Sequence, residues 1–442
     1  MSNDRIIQSL SVLSQKFPDK SSYDLRELKE FSNTAAYPLS TFIEAALCSD
    51  AQLMHRTLGE LSEYAAKANR SQTWFDLGIL ASNFFFTQLA KEFFNRALEL
   101  AEVDGDSNRA AQASNKLGEI HAEVDELDAA SNCFSQAVSY AERSGNRGIS
   151  VVILGNLGNV HLRNGDYEKA LECLQKSLNI INEGFEESSL TDVLTNLGRV
   201  NQITGDLDSA EKFYQQSLSE LERRGNRAGV ARALADLGSI SELNGDWKQA
   251  LDRYEIAMRS MADLRDHAGV AMMNGNMARV FSQVGKWEQA IDCYQASLTL
   301  LEMIGDMGGV AATLNNLGLS YKESKEWDKS LGFFKRSLDF MERMSDWQGA
   351  ASVLSNLGSI HYWKGEHVNA IDCFRRSLEL IESKNEFHEM SSTLNNLGLI
   401  YADSGDLEQA TKCYQRALGL FREAGQAIDE AKCLSNLGSI YQ

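Results

Sequence analysis

ILGNLGNVHLRNGDYEKALECLQKSL, residues 153–178, decides the fold because the chain keeps rewriting it at one interval. Leu157-Gly158 recurs every forty residues, as Leu117-Gly118, Leu197-Gly198, Leu237-Gly238, Leu317-Gly318, Leu357-Gly358, Leu397-Gly398 and Leu437-Gly438. Met277-Ala278 is the weakened copy. Thirteen residues after each Leu stands a small residue (Ala130, Ala170, Ala210, Ala250, Ala290, Ser330, Ala370, Ala410). Four further on comes Phe134, Leu174, Tyr214, Tyr254, Tyr294, Phe334, Phe374 or Tyr414, and Leu77-Gly78, Ala90 and Phe94 fit the same register. A period this long, held this strictly, specifies stacked supersecondary units.

Within the quoted stretch the pattern predicts two helices. Helix A starts near Asn146 and carries Val151, Leu154, Leu157, Gly158 and His161 on one face. Asn164-Gly165-Asp166 breaks it, and Asp166 is expected to cap helix B by accepting from its first free N–H groups. Helix B lays Ala170, Leu174 and Leu178 toward helix A at four-residue spacing. Gly145, Gly225, Gly305 and Gly425 follow helix B where a left-handed residue closes a helix; Asn146, Asn226 and Asp306 stand ready to cap the next helix A. Gly158 and Ala170 lack bulk, so the two helices approach closely.

Leu-Gly, Ala, an aromatic, and then a small residue (Ala137, Ser177, Ser217, Ala257, Ser297, Ser337, Ser377, Ala417) together resemble the tetratricopeptide repeat. Trp74, three before Leu77, matches that family's initial Trp, where later units put Leu. The family's usual period is about 34 residues. The forty-residue form, with NLG and turns such as Gly225-Asn226-Arg227, is similar to the Pins/LGN polarity scaffolds and to kinesin light chain. The resemblance implies an all-α fold, a right-handed superhelical solenoid of antiparallel helix pairs. It covers about 71–442, with nine full repeats and one unpaired final helix ending at Tyr441-Gln442. Residues 1–66 stand outside the period and read as a helical N-terminal cap, with helical stretches in DRIIQSLSVLSQKF, SYDLRELKEF, TFIEAAL and AQLMHRTLGELSEYAAKA.

Composition narrows the function. A formal charge of −19 argues against nucleic acid or an anionic membrane as a partner. No basic segment leads into an apolar run at the N-terminus, and no stretch approaches the ~18 apolar residues of a membrane helix, so a cytoplasmic location is expected. Five of the seven Cys (Cys133, Cys173, Cys293, Cys373, Cys413) share one column without ligand spacing and read as small apolar fillers. His121, His161 and His361 share a column with Phe281, Tyr321 and Tyr401 and read as packing residues. Trp247, Trp287 and Trp327 read as a structural aromatic at the start of helix B. No P-loop, HExxH, GxSxG or zinc pattern appears, so neither catalysis nor a cofactor is expected.

The informative column precedes the Leu: Lys116, Asn156, Asn196, Asp236, Asn276, Asn316, Asn356, Asn396 and Asn436. Asn is a poor helix-interior residue and core packing does not require it. Its amide both donates and accepts, so a ladder of Asn can clasp an extended peptide backbone whatever its sequence. The resemblance implies the same role and places this stripe in a concave groove. The competing reading has the amides satisfying the backbone of neighbouring repeats or simply facing water. Along the stripe stand Arg163, Arg199, Arg232 and Arg279, then Leu319, Trp363 and Leu399. The Arg fit carboxylates and the Trp an apolar anchor; the competing reading pairs the Arg with Asp192 and nearby acids. The expected activity is therefore a scaffold or adaptor holding an extended or partly helical, partly acidic segment of a protein partner. The alternative makes the array the sensing half of a larger signalling protein or enzyme whose effector lies beyond Gln442. The final AKCLSNLGSIYQ keeps Leu434, Leu437 and Ile440 in consensus, so either a second copy packs there or the chain continues.

Overall fold

The computed structural model describes Phe42, residues 51–383 and residues 387–440, with side chains described at all of these except 383 and 387–389. Most of the expected N-terminal cap, and Tyr441-Gln442, therefore lie outside the described residues. The described residues are helical throughout, apart from turns, and contain no strand. They divide into two compact units, Met1–Leu221 and Glu222–Gln442.

The first unit opens with the helix Ala51–Ala68 and continues in pairs: Ser71–Asn83 with Thr87–Asp104, Ser107–Glu123 with Leu127–Ser144, and Arg147–Arg163 with Tyr167–Asn182. A short 3-10 turn, Glu187–Ser189, then leads into Leu190–Thr204, which is followed by Leu207–Arg223. The second unit runs Arg227–Leu243 with Trp247–Asp263, His267–Gln283 with Trp287–Ile304, Met307–Glu323 with Trp327–Arg343, Trp347–Trp363 with His367–Ser383, and Phe387–Asp403 with Leu407–Glu423. Ala427–Ile440 follows alone. The first helix of each pair is called A and the second B. In both units A packs on its own B, and B on the next A.

The column residues explain this packing. A β-carbon added at Gly118, Gly198, Gly318 or Gly358 would lie 2.6–2.8 Å from the ring of Phe134, Tyr214, Phe334 or Phe374. Those rings are at most 1% exposed, so glycine is what admits the aromatic of helix B against the backbone of helix A. The small residue three positions beyond the aromatic does more than save space. Ser177, Ser297, Ser337 and Ser377 donate to the carbonyls of Val151, Ala271, Ala311 and Ala351 at 2.8–3.0 Å, bolting B to A without competing with the helix's own ladder.

The turns follow two rules. Gly145, Gly225, Gly305 and Gly425 adopt φ between 67 and 75° after helix B. Asn146, Asn226 and Asp306 then accept from the N–H of Ile149, Gly229 and Gly309 at 2.9–3.2 Å. Asp166 departs from its expected role: its side chain makes no cap. Lys169 at 3.1 Å and His161 at 3.5 Å take up the carboxylate, and both hold its pKa below the ordinary Asp value, Lys169 more strongly.

Other expected fillers also gain partners. His121 and His361 meet Glu126 and Glu366 five residues on, at 2.5 and 2.6 Å. Burial pushes the thiols of Cys133, Cys173, Cys293, Cys373 and Cys413 upward, which keeps them protonated and unreactive. In the final helix Cys433 is buried and donates to the Tyr414 carbonyl, while Leu434 stays 43% exposed.

Candidate functional site

Successive A helices touch within each unit, so their outward stripes run side by side. The Asn column lies at that seam. Asn156, Asn196, Asn276, Asn316, Asn356, Asn396 and Asn436 are all half-buried, one residue ahead of a buried or half-buried apolar residue that anchors the helix. Chemically they do not form one class.

Asn156 donates to the Asn115 side chain at 3.2 Å, Asn356 to Asn315 at 3.4 Å, and Asn436 to Asn395 at 3.2 Å. Asn156 also reaches Glu119 at 3.4 Å. In each case the acceptor lies forty-one residues earlier, on the A helix before. Behind Asn196, Asn276, Asn316 and Asn396 that position holds Gly155, Ala235, Gly275 and Ser355. Gly and Ala offer no side-chain acceptor, and the Ser355 hydroxyl is engaged with Ser377 at 3.0 Å and Thr393 at 3.4 Å. These four amides have no hydrogen bond among the described residues: one in the first unit and three in the second. The signal was present in the sequence as Asn or not-Asn two residues before the column Leu.

The arginines divide in the same way. Arg163 pairs with Asp125 at 2.8 Å and donates to the Ala122 carbonyl at 2.9 Å. Arg279 grips Glu242 with two nitrogens, at 2.6 and 2.9 Å, and that carboxylate raises its pKa and keeps it charged. Glu242 also accepts from Tyr254 at 3.0 Å, so a buried tyrosine and an arginine share one acid that the stripe pattern did not reveal. Neither pair involves Asp192. Arg199 has no partner among the described residues, and Arg232 reaches only the carbonyl of Ala228 on its own helix, at 3.4 Å.

Among the apolar candidates, Leu319 is half-buried and packs into the core around Phe334, while Leu399 is half-buried. Trp363 stands out at 54% exposed. Trp327 props its ring at 5.5 Å between centroids, and the Lys322 ammonium lies 5.7 Å above it. Among the described residues no group of three or more His, Cys, Asp or Glu is placed to hold a metal, and no helix is long and apolar enough to cross a membrane.

Comparison with known proteins gives two findings. The tetratricopeptide repeat model matches residues 149–223, 191–263, 229–303, 269–343 and 389–442, together more than half of the chain. Among solved structures, the chain is similar to a signal transduction ATPase with numerous domains and a tetratricopeptide repeat sensor, from Pyrococcus horikoshii. That likeness has 13% identity and a TM-score of 0.59, over 82% of this chain and 55% of that one. It is also similar to the apo form of the quorum sensor NprR from B. thuringiensis, with 15% identity and a TM-score of 0.56, over 79% of this chain and 97% of that one. At such identities the likeness speaks to fold alone. No curated protein matches the chain.

Proposed function

The chain belongs to the tetratricopeptide repeat family, and on that premise we propose that it is a non-catalytic scaffold that holds a segment of a protein partner along its A-helix stripes. The division of the Asn column carries this reading. Asn156, Asn356 and Asn436 have partners that hold neighbouring A helices in register. Asn196, Asn276, Asn316 and Asn396 keep half-buried amides open to an incoming backbone, each bond contributing about 0.5–1.5 kcal/mol net.

The chemistry around the open amides describes the ligand. It is extended or partly helical, since backbone groups must be accessible to side-chain amides. It is acidic in part, because Arg199 and Arg232 lack carboxylate partners. It carries at least one large apolar residue for the face of Trp363.

The test is a peptide-library screen on the purified chain beside two variants. Changing Asn196, Asn276, Asn316 and Asn396 to Ala should abolish enrichment of acidic-plus-apolar peptides while leaving the thermal midpoint unchanged. Changing Asn156, Asn356 and Asn436 to Ala should do the reverse, lowering the midpoint and sparing the peptides. Equal enrichment by wild type and the fourfold variant would falsify the clasp.

A further inference from the structure

Away from the A-helix stripes, a cleft of about 500 Å³ opens in the first unit where the B helix Leu127–Ser144 meets the next pair, Arg147–Arg163 and Tyr167–Asn182. That is within the roughly 300–1,000 Å³ of small-molecule sites. Val138, Ala141, Leu154 and Ile180 make its apolar lining, with Ser150 beside them.

The repeat itself shows why this seam is open. The Val138 column otherwise holds Leu or Met: Leu98, Leu178, Leu218, Met258, Leu298, Leu338, Leu378 and Leu418. At the Ala141 column later repeats carry Ile181, Leu221, Met261, Leu301, Met341 and Ile381. Ser150 stands where Val230, Val270 and Val310 occur. In the second unit the matching Leu298, Leu301, Val310 and Leu314 close into one core. Three side chains shortened at a single seam leave space that the other seam fills with aliphatic carbon.

The mouth lacks a charge contact as well. In the second unit a Glu of one B helix pairs with an Arg thirty-four residues on: Glu302 with Arg336 at 3.0 Å, Glu342 with Arg376 at 3.2 Å, and Glu382 with Arg416 at 2.8 Å. The same register joins Glu142 to Lys176, both at the mouth. Lys176 binds Glu172 on its own helix instead, at 2.6 Å, and feels Glu142 only at longer range. Arg147 is taken by Glu183. Glu142 is exposed; its carbonyl accepts from the Gly145 N–H at 3.2 Å, but its carboxylate has no hydrogen bond or ion pair among the described residues. The mouth's uncommitted charge is thus a carboxylate.

We propose that this cleft binds a small organic cation with an apolar body, an alkyl or arylalkyl guanidinium or ammonium. The body restores the volume that Val138, Ala141 and Ser150 withhold. The cation sits on Glu142, in the place where other seams put an arginine. The proposal is independent of the groove reading.

Isothermal titration of the full chain with n-hexylguanidinium, and with hexanoate as its charge-reversed counterpart, tests it. Hexylguanidinium should bind saturably and at least about tenfold more tightly than hexanoate. Lys176→Arg, which installs the missing rung, and Ala141→Leu, which installs the side chain found at Leu221 and Leu301, should each weaken binding by about fivefold or more. Both introduce residues that other repeats already use at those columns, so unchanged helicity is expected and checked by circular dichroism. The fourfold Asn variant should bind the probe like wild type. Absence of saturable binding, hexanoate binding as tightly, or wild-type affinity in either seam variant overturns the proposal.

Discussion

The turns that start helix A differ between the two units, and the difference shows how much one period conceals. In the second unit Asp266, Asp306 and Asp346 each accept from the N–H of a Gly three residues on, at 2.8–2.9 Å. Glycine there has a packing reason: a β-carbon on Gly269 would lie 2.6 Å from both the Asp266 carboxylate and the Met261 sulfur. In the first unit Ile149 fills the equivalent place behind Asn146. One repeat later the cap is gone. Gly184 has φ 94° and Glu186 φ 50°, and the helix begins at Leu190 after Ser189, whose side chain caps nothing. The second unit thus repeats its turn chemistry, while the first keeps the spacing and varies the means.

Writing the first unit's residue into the second should break the contrast most sharply. Gly269→Ile must displace either the capping Asp266 or Met261, so we expect a loss of about 1–3 kcal/mol from overpacking, read as a fall in the denaturant midpoint. Ile149→Gly creates no clash and keeps the cap, so its cost, about 1 kcal/mol or more, comes instead from lost packing of the half-buried Ile and the poor helix propensity of Gly. Removing a cap comes next. Asp306→Ala should cost about 1 kcal/mol, whereas Ser189→Ala should change nothing measurable; equal effects would mean that the hydrogen bond at Asp306 is not what starts that helix.

The smallest effect depends on pH. Burial chiefly lowers the pKa of His161 from its ordinary 6.5, with Asp166 opposing. The unfolded chain therefore takes up a proton near pH 6.5 that the folded chain refuses. Stability tied to His161 is complete above that pH and declines as pH falls from there toward the folded value. His161→Tyr, the residue found at Tyr321, removes the titration. Its thermal midpoint should gain on wild type by on the order of 1 °C between pH 7.5 and 5.5; parallel curves would exclude the mechanism.

Much of this was legible from spacing. A buried contact constrains residue size, and a stack makes the same contact again in every unit, so Gly118, Gly198 and Gly358 with Phe134, Tyr214 and Phe374 announce helix pairs in the sequence itself. Caps were legible where the cap is local, as at Asn146, Asn226 and Asp306. Asp166 misled because its rivals, Lys169 and His161, are set by side-chain geometry rather than by the turn motif.

The candidate sites were half legible. Columns mark which residues share a stripe, but a polar side chain's availability depends on what faces it across the seam. Asn356 and Asn316 look identical along the chain and differ only in having Asn315 or Gly275 behind them. Arg163 and Arg199 share one stripe, but only Arg163 has an acid within reach, Asp125 in the turn after the preceding A helix.

The sequence by itself determined the helix pairs, their register, and the charge and cysteine chemistry, because these follow from local periodicity and residue type. Only the tertiary structure decided which amides and charges remain unspent and where a seam stays open. Those properties belong to pairs of residues some forty positions apart, and packing alone brings them within hydrogen-bonding distance.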